Sequence, residues 1–557
     1  MRSLAISMTL AVACVASCSD DDSAPPVDAA ADASDGGGDA SADSAVPPGP
    51  CEELGLPARP FVDTAELVEL RALASDLVIP TTGGDYSLKE SWSGCEVLFF
   101  IPDTPAQVGA GFPQKLWEVP NDVRQLFQRL PRNARLFFVS FLLGQQDRTE
   151  ALAALADSVQ AVLTLMEPEE REWWAQRVHY VPDRVTALQG WLGQLLANPG
   201  FGLGVDRAQR IRFIGGFGDP TRYNASVGWF APNLSMVANE AIHYNAEATR
   251  DARLEAQAAT VVPLFDATPL AAHGSGPYQV VVDLPEQALL AAADSLELDL
   301  ALTCVGPGEY GYCPAWDYDV FLNLCETVDA TSCDLEVGHW ITSYHREGRW
   351  VHDVSGLLPY FSGGGQRKLS FHISDPWEVT LSLRFFGAGK ALRPEEAVPL
   401  WIRTQGFDES YNDAFPLRTV FIPGDAQRVE LVTAITGHGM SMPGNCAEFC
   451  NTEHHFLVNG QDNLQSFPGA GDTYGCQDQI PLGTVPNQMG TWWYGRGGWC
   501  PGKQVDHLIT DITEQVSLGQ DNLFEYQGFY LGQPYQGDNW RHIHLASWVV
   551  VSRSQGQ

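Results

Sequence analysis

Residues 313–325 read CPAWDYDVFLNLC, in which two cysteines enclose an aromatic–acid pair, Trp316-Asp317, and a strand-like run at 320–324. Runs of the same kind recur downstream of residue 260, at 278–282, 296–303, 369–373, 379–385, 429–435, 455–458, 524–530 and 544–551. Several alternate apolar with polar residues, and clusters of Gly, Pro, Asn or Asp separate them. Few helical patterns interrupt the series. This texture predicts antiparallel β-sandwiches. The stretch is too long for one sandwich, so two are expected, at 259–398 and 399–557, joined near 393–399. In such an architecture function is expected on loops where two layers meet.

Upstream, at 51–258, the pattern alternates between strand and helix. Residues 97–102, 135–141 and 211–214 read as buried strands. Residues 121–130, 149–166, 173–177 and 186–197 read as helices, the second with apolar residues at 152, 155, 159, 162 and 163. Strands separated by helices imply a mostly parallel sheet covered by helices. The segment 85–95, DYSLKESWSGC, resembles the front of a thioredoxin-like domain. It lacks the C-x-x-C pair, because Glu96, Val97 and Leu98 follow Cys95. A redox dithiol needs a second sulfur close by, so an auxiliary α/β domain with a structural Cys51–Cys95 bond is expected.

The first residues read as a processing signal. Arg2, an apolar run at 4–15 and Val15-Ala16-Ser17-Cys18 match a bacterial lipobox with Cys18 lipidated. An acidic tether, 19–50, holds 8 of the 69 acidic residues and is expected to stay disordered. The expected protein is an exported lipoprotein of the cell envelope, outer membrane or extracellular space, touching a membrane only through its lipid. A formal charge of −36 argues against nucleic acid and against an anionic membrane face, and is compatible with a neutral sugar substrate. Cysteines 51, 95, 304, 313, 325, 333, 446, 450, 476 and 500 remain beyond the signal. In an exported chain they read as disulfides. Spacing suggests Cys304–Cys313, Cys325–Cys333 and Cys446–Cys450, with Cys476–Cys500 closing a longer loop and Cys51–Cys95 left over. Zinc is disfavoured because paired C-x2-C half-sites are missing.

Residues 260–553 resemble the peptide:N-glycosidase F family, bacterial amidases that release intact glycans from asparagine. The motifs run in order: Cys313-Pro-Ala-Trp-Asp317, Ile341-Thr-Ser-Tyr344, Gly437-His-Gly439, Gly444-Asn-Cys-Ala-Glu-Phe-Cys450 and Arg496-Gly-Gly-Trp-Cys-Pro-Gly502. The resemblance implies two eight-stranded jelly-roll sandwiches side by side with the site between them. It makes Asp317 the essential acid and Glu448 a second acid, held on the five-residue Cys446–Cys450 ring. Asp375, in Ser-Asp-Pro-Trp377, becomes a third carboxylate.

By the same resemblance Asp317 would activate water and Glu448 would position it or the amide. Arg496 would polarise the carbonyl or hold Glu448. Asp375 would bind sugar hydroxyls, and Trp377 and Trp499 would offer ring faces to a pyranose. Trp316, Tyr318 and Phe449 complete the expected substrate-binding set. No metal and no cofactor is implied, and the expected partner is the chitobiose core of an N-glycosylated protein or peptide, acted on by a monomer. Where the family has an arginine after its aspartate this chain has Tyr318. Where it has a tryptophan after its second acid this chain has Phe449. Both changes bear on substrate grip.

Two rival functions draw on other residues of the chain. Copper-dependent monooxygenases share the double sandwich and need His and Met ligands in both layers. This chain offers His438, His454, His455, His542, His544, Met440 and Met442 in one layer, and His339, His345, His352 and His372 without a paired motif in the other. A catalytically inactive glycan-binding protein is the second rival, and retention of Asp317, Glu448 and Arg496 together argues against it.

Overall fold

The computed structural model describes residues 50–103, 115–118, 120–197, 202–225, 229–270, 277–537 and 540–554. The lipobox cysteine Cys18 and the tether as far as residue 49 lie outside the described residues. Among the described residues no helix is long and apolar enough to cross a membrane.

Val97–Pro102 is buried at every position, as a strand covered on both faces must be. It is the centre of a five-stranded sheet in the order Val178–Arg184, Ala134–Ser140, Val97–Pro102, Gly202–Val205, Ile211–Ile214. The first three strands are parallel, and the last two form an antiparallel hairpin. Helices Pro120–Arg129, Gln145–Leu163, Pro168–Ala175 and Gly190–Leu196 fall on the expected stretches, with ends displaced by up to five residues. A fifth helix, Val237–Ala256, has no counterpart in the sequence reading. Its buried face includes Asn239, Glu240, His243 and Glu247 beside Val237, Ala238, Ala241 and Tyr244, so polar residues break the apolar stripe by which a helix is recognised.

From Thr260 onward the chain builds two antiparallel sandwiches. In the first, a sheet of Thr260–Leu270, Trp377–Phe386, Ser295–Thr303 and Gly348–Asp353 faces a sheet of Tyr278–Asp283, Gln366–His372, Asp319–Leu324, Leu335–Ile341 and Lys503–Gln504. The last of these strands is lent by the second half of the chain, with Trp340 opposite Gln504. The second sandwich pairs Leu392–Gly406, His542–Ser554, Arg428–His438 and Leu508–Asp511 with Arg418–Ile422, Gln520–Tyr530, Thr452–Val458 and Gln461–Ser466. Strand Asp319–Leu324 shows the logic of the seam. Val320, Leu322 and Leu324 are buried in the first core, and Asp319, Phe321 and Asn323 alternate with them on the opposite face. All five expected disulfides are present.

The α/β portion shares a core with the rest of the chain. Tyr344, Ile480, Trp492 and Trp493 belong to the same buried cluster as Phe99, Phe213, Leu234 and Tyr244. At this junction the buried guanidinium of Arg346 donates from Nη1 to Glu240 Oε1 (2.7 Å) and the Pro486 carbonyl (2.8 Å). Nη2 donates to the Phe213 carbonyl (3.1 Å), and Nε faces Glu309 Oε2 at 2.6 Å. Burial pushes the Glu309 carboxyl up to about 7, against the pull of Arg346.

Candidate functional site

Asp317 sits in the turn that leads into strand Asp319–Leu324, and Thr342 fixes that turn from both sides. The Thr342 hydroxyl donates to the Trp316 carbonyl (2.6 Å) and accepts from the Tyr318 N–H (2.8 Å), while the Thr342 N–H donates to the Tyr318 carbonyl (3.0 Å). Tyr344, two residues on, donates its hydroxyl to Asp317 Oδ2. Arg496 Nη2 lies 3.9 Å from the same oxygen.

Glu448 lies inside the Cys446–Cys450 ring. Its backbone N–H donates to Gly439 O (3.0 Å), and its carbonyl accepts from Gly497 N–H (2.7 Å). Both side-chain oxygens are engaged: Oε1 accepts from Arg496 Nε (3.2 Å) and Oε2 from the Gly439 N–H (3.1 Å). The Arg-Gly-Gly sequence is required here. Gly498 has φ +92°, and a Cβ on it would overlap the Ile435 carbonyl. Only glycine carries the chain through this conformation and this closely past a neighbouring strand.

Arg496 is the hub. Its side chain has no exposed surface. Besides Glu448, it donates to the carbonyls of Thr491 (3.1 Å) and Tyr494 (2.7 Å) and to the Thr491 hydroxyl (3.1 Å). Phe449 and Trp499 flank its guanidinium, each ring centroid 5.0 Å away. With its donors committed inward, Arg496 is suited to hold Glu448 and compensate two acids rather than to reach a substrate carbonyl.

Burial raises the Asp317 carboxyl above its ordinary range; Arg496 and the Tyr344 hydroxyl oppose the rise, and Asp319 adds to it. Burial also raises Glu448, opposed by Arg496 and the Gly439 N–H and assisted by Asp317. Burial and the Asp317 charge drive the Tyr344 phenol upward, so it remains a donor. Two acids raised by burial and sharing one guanidinium are suited to proton transfer beside a fixed charge.

The remaining expected residues divide. Trp316 is 60% exposed beside Asp317. Phe321 pairs with His372, a register that carries Asp375 to the same end of the strand as Asp317. Trp377 and Trp499 are not available as sugar platforms. Trp377 is 1% exposed within the first sandwich core. Trp499 is buried, stacks on His438 and donates its indole N–H to the Gly437 carbonyl (2.6 Å). The exposed rings at the site are instead Trp316 and Trp540, also 60% exposed. Trp540 lies so close to Gly439 that a Cβ there would come within 2.9 Å of it. Tyr344 stood in the quoted Ile-Thr-Ser-Tyr motif without a role; Trp540 carried no signal beyond being an isolated tryptophan. A cavity of about 270 Å³ reaches Arg496 and Trp499 from the far side, and neither Asp317 nor Glu448 lines it. Asp317 and Glu448 each keep 17% of the side chain exposed.

Residues 410–550 match the family model for the C-terminal part of peptide-N-glycosidase F. The peptide-N(4)-(N-acetyl-beta-D-glucosaminyl)asparagine amidase F of Elizabethkingia miricola is 27% identical over 143 residues, 25% of this chain and 38% of the relative. The match thus spans well under half of that protein's length. A solved structure of recombinant peptide:N-glycanase F aligns with a TM-score of 0.43 at 19% identity, over 54% of this chain and 96% of the other. PNGase F from Flavobacterium meningosepticum, described as a glycosylasparaginase, aligns at 0.43 and 18% identity, over 54% and 97%. The chain is related to the peptide-N-glycosidase F family.

Proposed function

We propose that this protein is an amidase that hydrolyses the bond between an asparagine side chain and the first N-acetylglucosamine of an N-linked glycan. The observation that carries the reading is the placement of buried Arg496 between two half-buried acids, 3.2 Å from Glu448 and 3.9 Å from Asp317, in a chain related to a family of such amidases. Asp317 takes a proton from water through Oδ1, because the Tyr344 and Arg496 contacts both fall on Oδ2. Glu448, anchored through both oxygens, orders the water or the amide. Water adds to the amide carbonyl and the amine leaves with a proton, giving aspartate on the protein and a glycosylamine that later loses ammonia. Trp316 and Trp540 supply ring faces for the sugar, and Asp375 accepts from its hydroxyls. Buried Arg496 with its acids sets this reading above passive glycan binding, which needs no raised carboxyl.

Two further parts of the proposal rest on other features. Five disulfides support an exported protein, here taken as a lipid-anchored one. Three parallel strands, an antiparallel hairpin and a following helix support a thioredoxin-like ancestry for the α/β portion, with Cys95 committed to Cys51.

The deciding experiment is incubation of the full chain with a denatured N-glycoprotein in water enriched in heavy oxygen. Released intact glycan, with heavy oxygen in an aspartate at the former glycosylation site, is expected. Bound but uncleaved glycopeptide would leave the glycan-binding reading instead.

A further inference from the structure

Away from the acids, the two sandwiches meet across a seam of imidazoles and carboxylates. Strand Leu335–Ile341 contributes Glu336 and His339. Residues three apart on a regular strand point to opposite faces, but the pairing slips between Leu322 and Asn323, so that His339 lies opposite Phe321 and Glu336 opposite Asn323. That bulge turns both side chains to the seam. The second sandwich contributes His544, between Thr404 and Thr436 on the neighbouring strands.

The three ligand atoms all lie within 4.8 Å of one another, and all three residues are buried. Each imidazole has one nitrogen held from behind. His339 Nε2 is 2.9 Å from Asp319 Oδ1, and His544 Nδ1 is 2.9 Å from the Thr404 hydroxyl. With Nε2–H donating to Asp319, the lone pair of His339 is on Nδ1. That atom is buried, has no hydrogen-bond partner among the described residues, and faces Glu336 Oε1 at 3.9 Å. His544 Nε2 lies 2.6 Å from Glu336 Oε2, and when Nδ1 keeps its proton toward Thr404 this nitrogen can turn a lone pair to an ion. An imidazolium at His544 would pair with Glu336 but would leave the buried His339 Nδ1 without a partner. A protonated His339 would leave its Nδ1–H without an acceptor. A divalent ion would satisfy all three atoms and balance the buried Glu336 carboxylate and the half-buried Asp319 behind His339. Metal-binding histidines are held in this way through their other ring nitrogen, and imidazole with carboxylate suits zinc at bond lengths of about 2.0–2.2 Å.

We infer that Glu336, His339 and His544 form a binding site for a divalent transition ion of the zinc type, clamping the two sandwiches together. The site lies beyond the proposed reaction and takes no step in it.

The test uses the full chain. After expression with zinc and exhaustive dialysis, mass-spectrometric metal analysis is expected to find one zinc per chain. Stripping with chelator and returning zinc should raise the melting temperature by roughly 5 °C, while magnesium should not. Cobalt in place of zinc should give visible bands that H544Q abolishes. If H544Q does not fold, the cobalt spectrum and zinc-dependent melting of the unaltered chain decide the matter. Absence of bound metal, of cobalt bands and of any melting shift would overturn the inference in favour of imidazolium–carboxylate pairs. Metal kept by H544Q but lost from H542A would also overturn it, moving the ion to the neighbouring Asp319–His438–His542 set.

Discussion

Replacing Tyr344 with phenylalanine isolates one interaction at the proposed base. The ring is 8% exposed, in the core shared with the α/β portion, so Tyr344→Phe keeps the packing and removes only the hydroxyl that donates to Asp317 Oδ2. A hydrogen bond to an ionised partner contributes about 1.5–3 kcal/mol, and about 1.4 kcal/mol corresponds to one pKa unit, so the loss alone would lift Asp317 by roughly 1–2 units. Arg496, 3.9 Å away, still favours the charged form, which keeps the shift near the lower end, at about 1 unit. Asp317 starts above its ordinary range because it is buried, and the proposed base works ionised. The acidic limb of kcat/KM should therefore move upward by about 1 unit, with a roughly tenfold loss on the limb that disappears at higher pH. A glycopeptide with a fluorophore on its peptide, followed across a pH series, measures this directly. An unmoved limb with an equal loss at every pH would refute the link between Tyr344 and the ionisation of Asp317.

Asp317→Asn should lower turnover by about 10²–10⁴-fold. It should melt at or above the unaltered protein at neutral pH, because an acid raised by burial stabilises the fold below its unfolded-state pKa and loses that contribution as pH rises through its folded one; calorimetry with a single-turnover assay checks both. Removing the Cys446–Cys450 bond by double alanine substitution should cost about 2 kcal/mol by loop-closure entropy and reduce kcat more than it raises KM, since Glu448 loses its ring; equal kcat would count against a positioning role. Arg346→Met strands Glu240 beside Glu309 in the interior, and urea unfolding should show a loss of about 3–5 kcal/mol, nearer the lower figure because Glu309, pushed up to about 7, can take a proton.

What could be read in the chain, and what could not, follows from the range of each signal. Strands such as Asp319–Leu324 declare themselves because alternate side chains meet alternate environments within a few residues. Glu448 was legible because both ends of its ring lie within five residues of sequence. Helix Val237–Ala256 was missed because its buried Glu240 and Glu247 are matched by Arg346 and Arg212, partners distant in the chain. The tryptophans failed for a related reason. Trp377 and Trp316 are equally aromatic in sequence, but one opens a core strand and the other stands on a turn, 1% and 60% exposed. Facing is decided by packing that the local string does not contain.

The α/β portion was expected to be auxiliary, yet the frame of the site runs through it. The Asn487 side chain donates to the Met236 carbonyl (2.8 Å), and the Asn487 carbonyl accepts from the Gly216 N–H (2.8 Å). The next residue, Gln488, accepts the Tyr344 N–H (2.8 Å), and Tyr344 holds Asp317. On the other arm, Trp492 and Trp493 precede Arg496 and are buried in the α/β core, Trp493 edge-on to Phe230 at 4.8 Å. Burying a tryptophan removes about 150–250 Å² from water, worth up to roughly 4–6 kcal/mol at 25 cal/mol per Å². Acids that must keep sub-ångström geometry need backing of this stiffness. Two sandwiches bring Asp317 and Glu448 to one seam, but the segment carrying Arg496 is seated by the α/β core, which makes that portion part of the site's foundation.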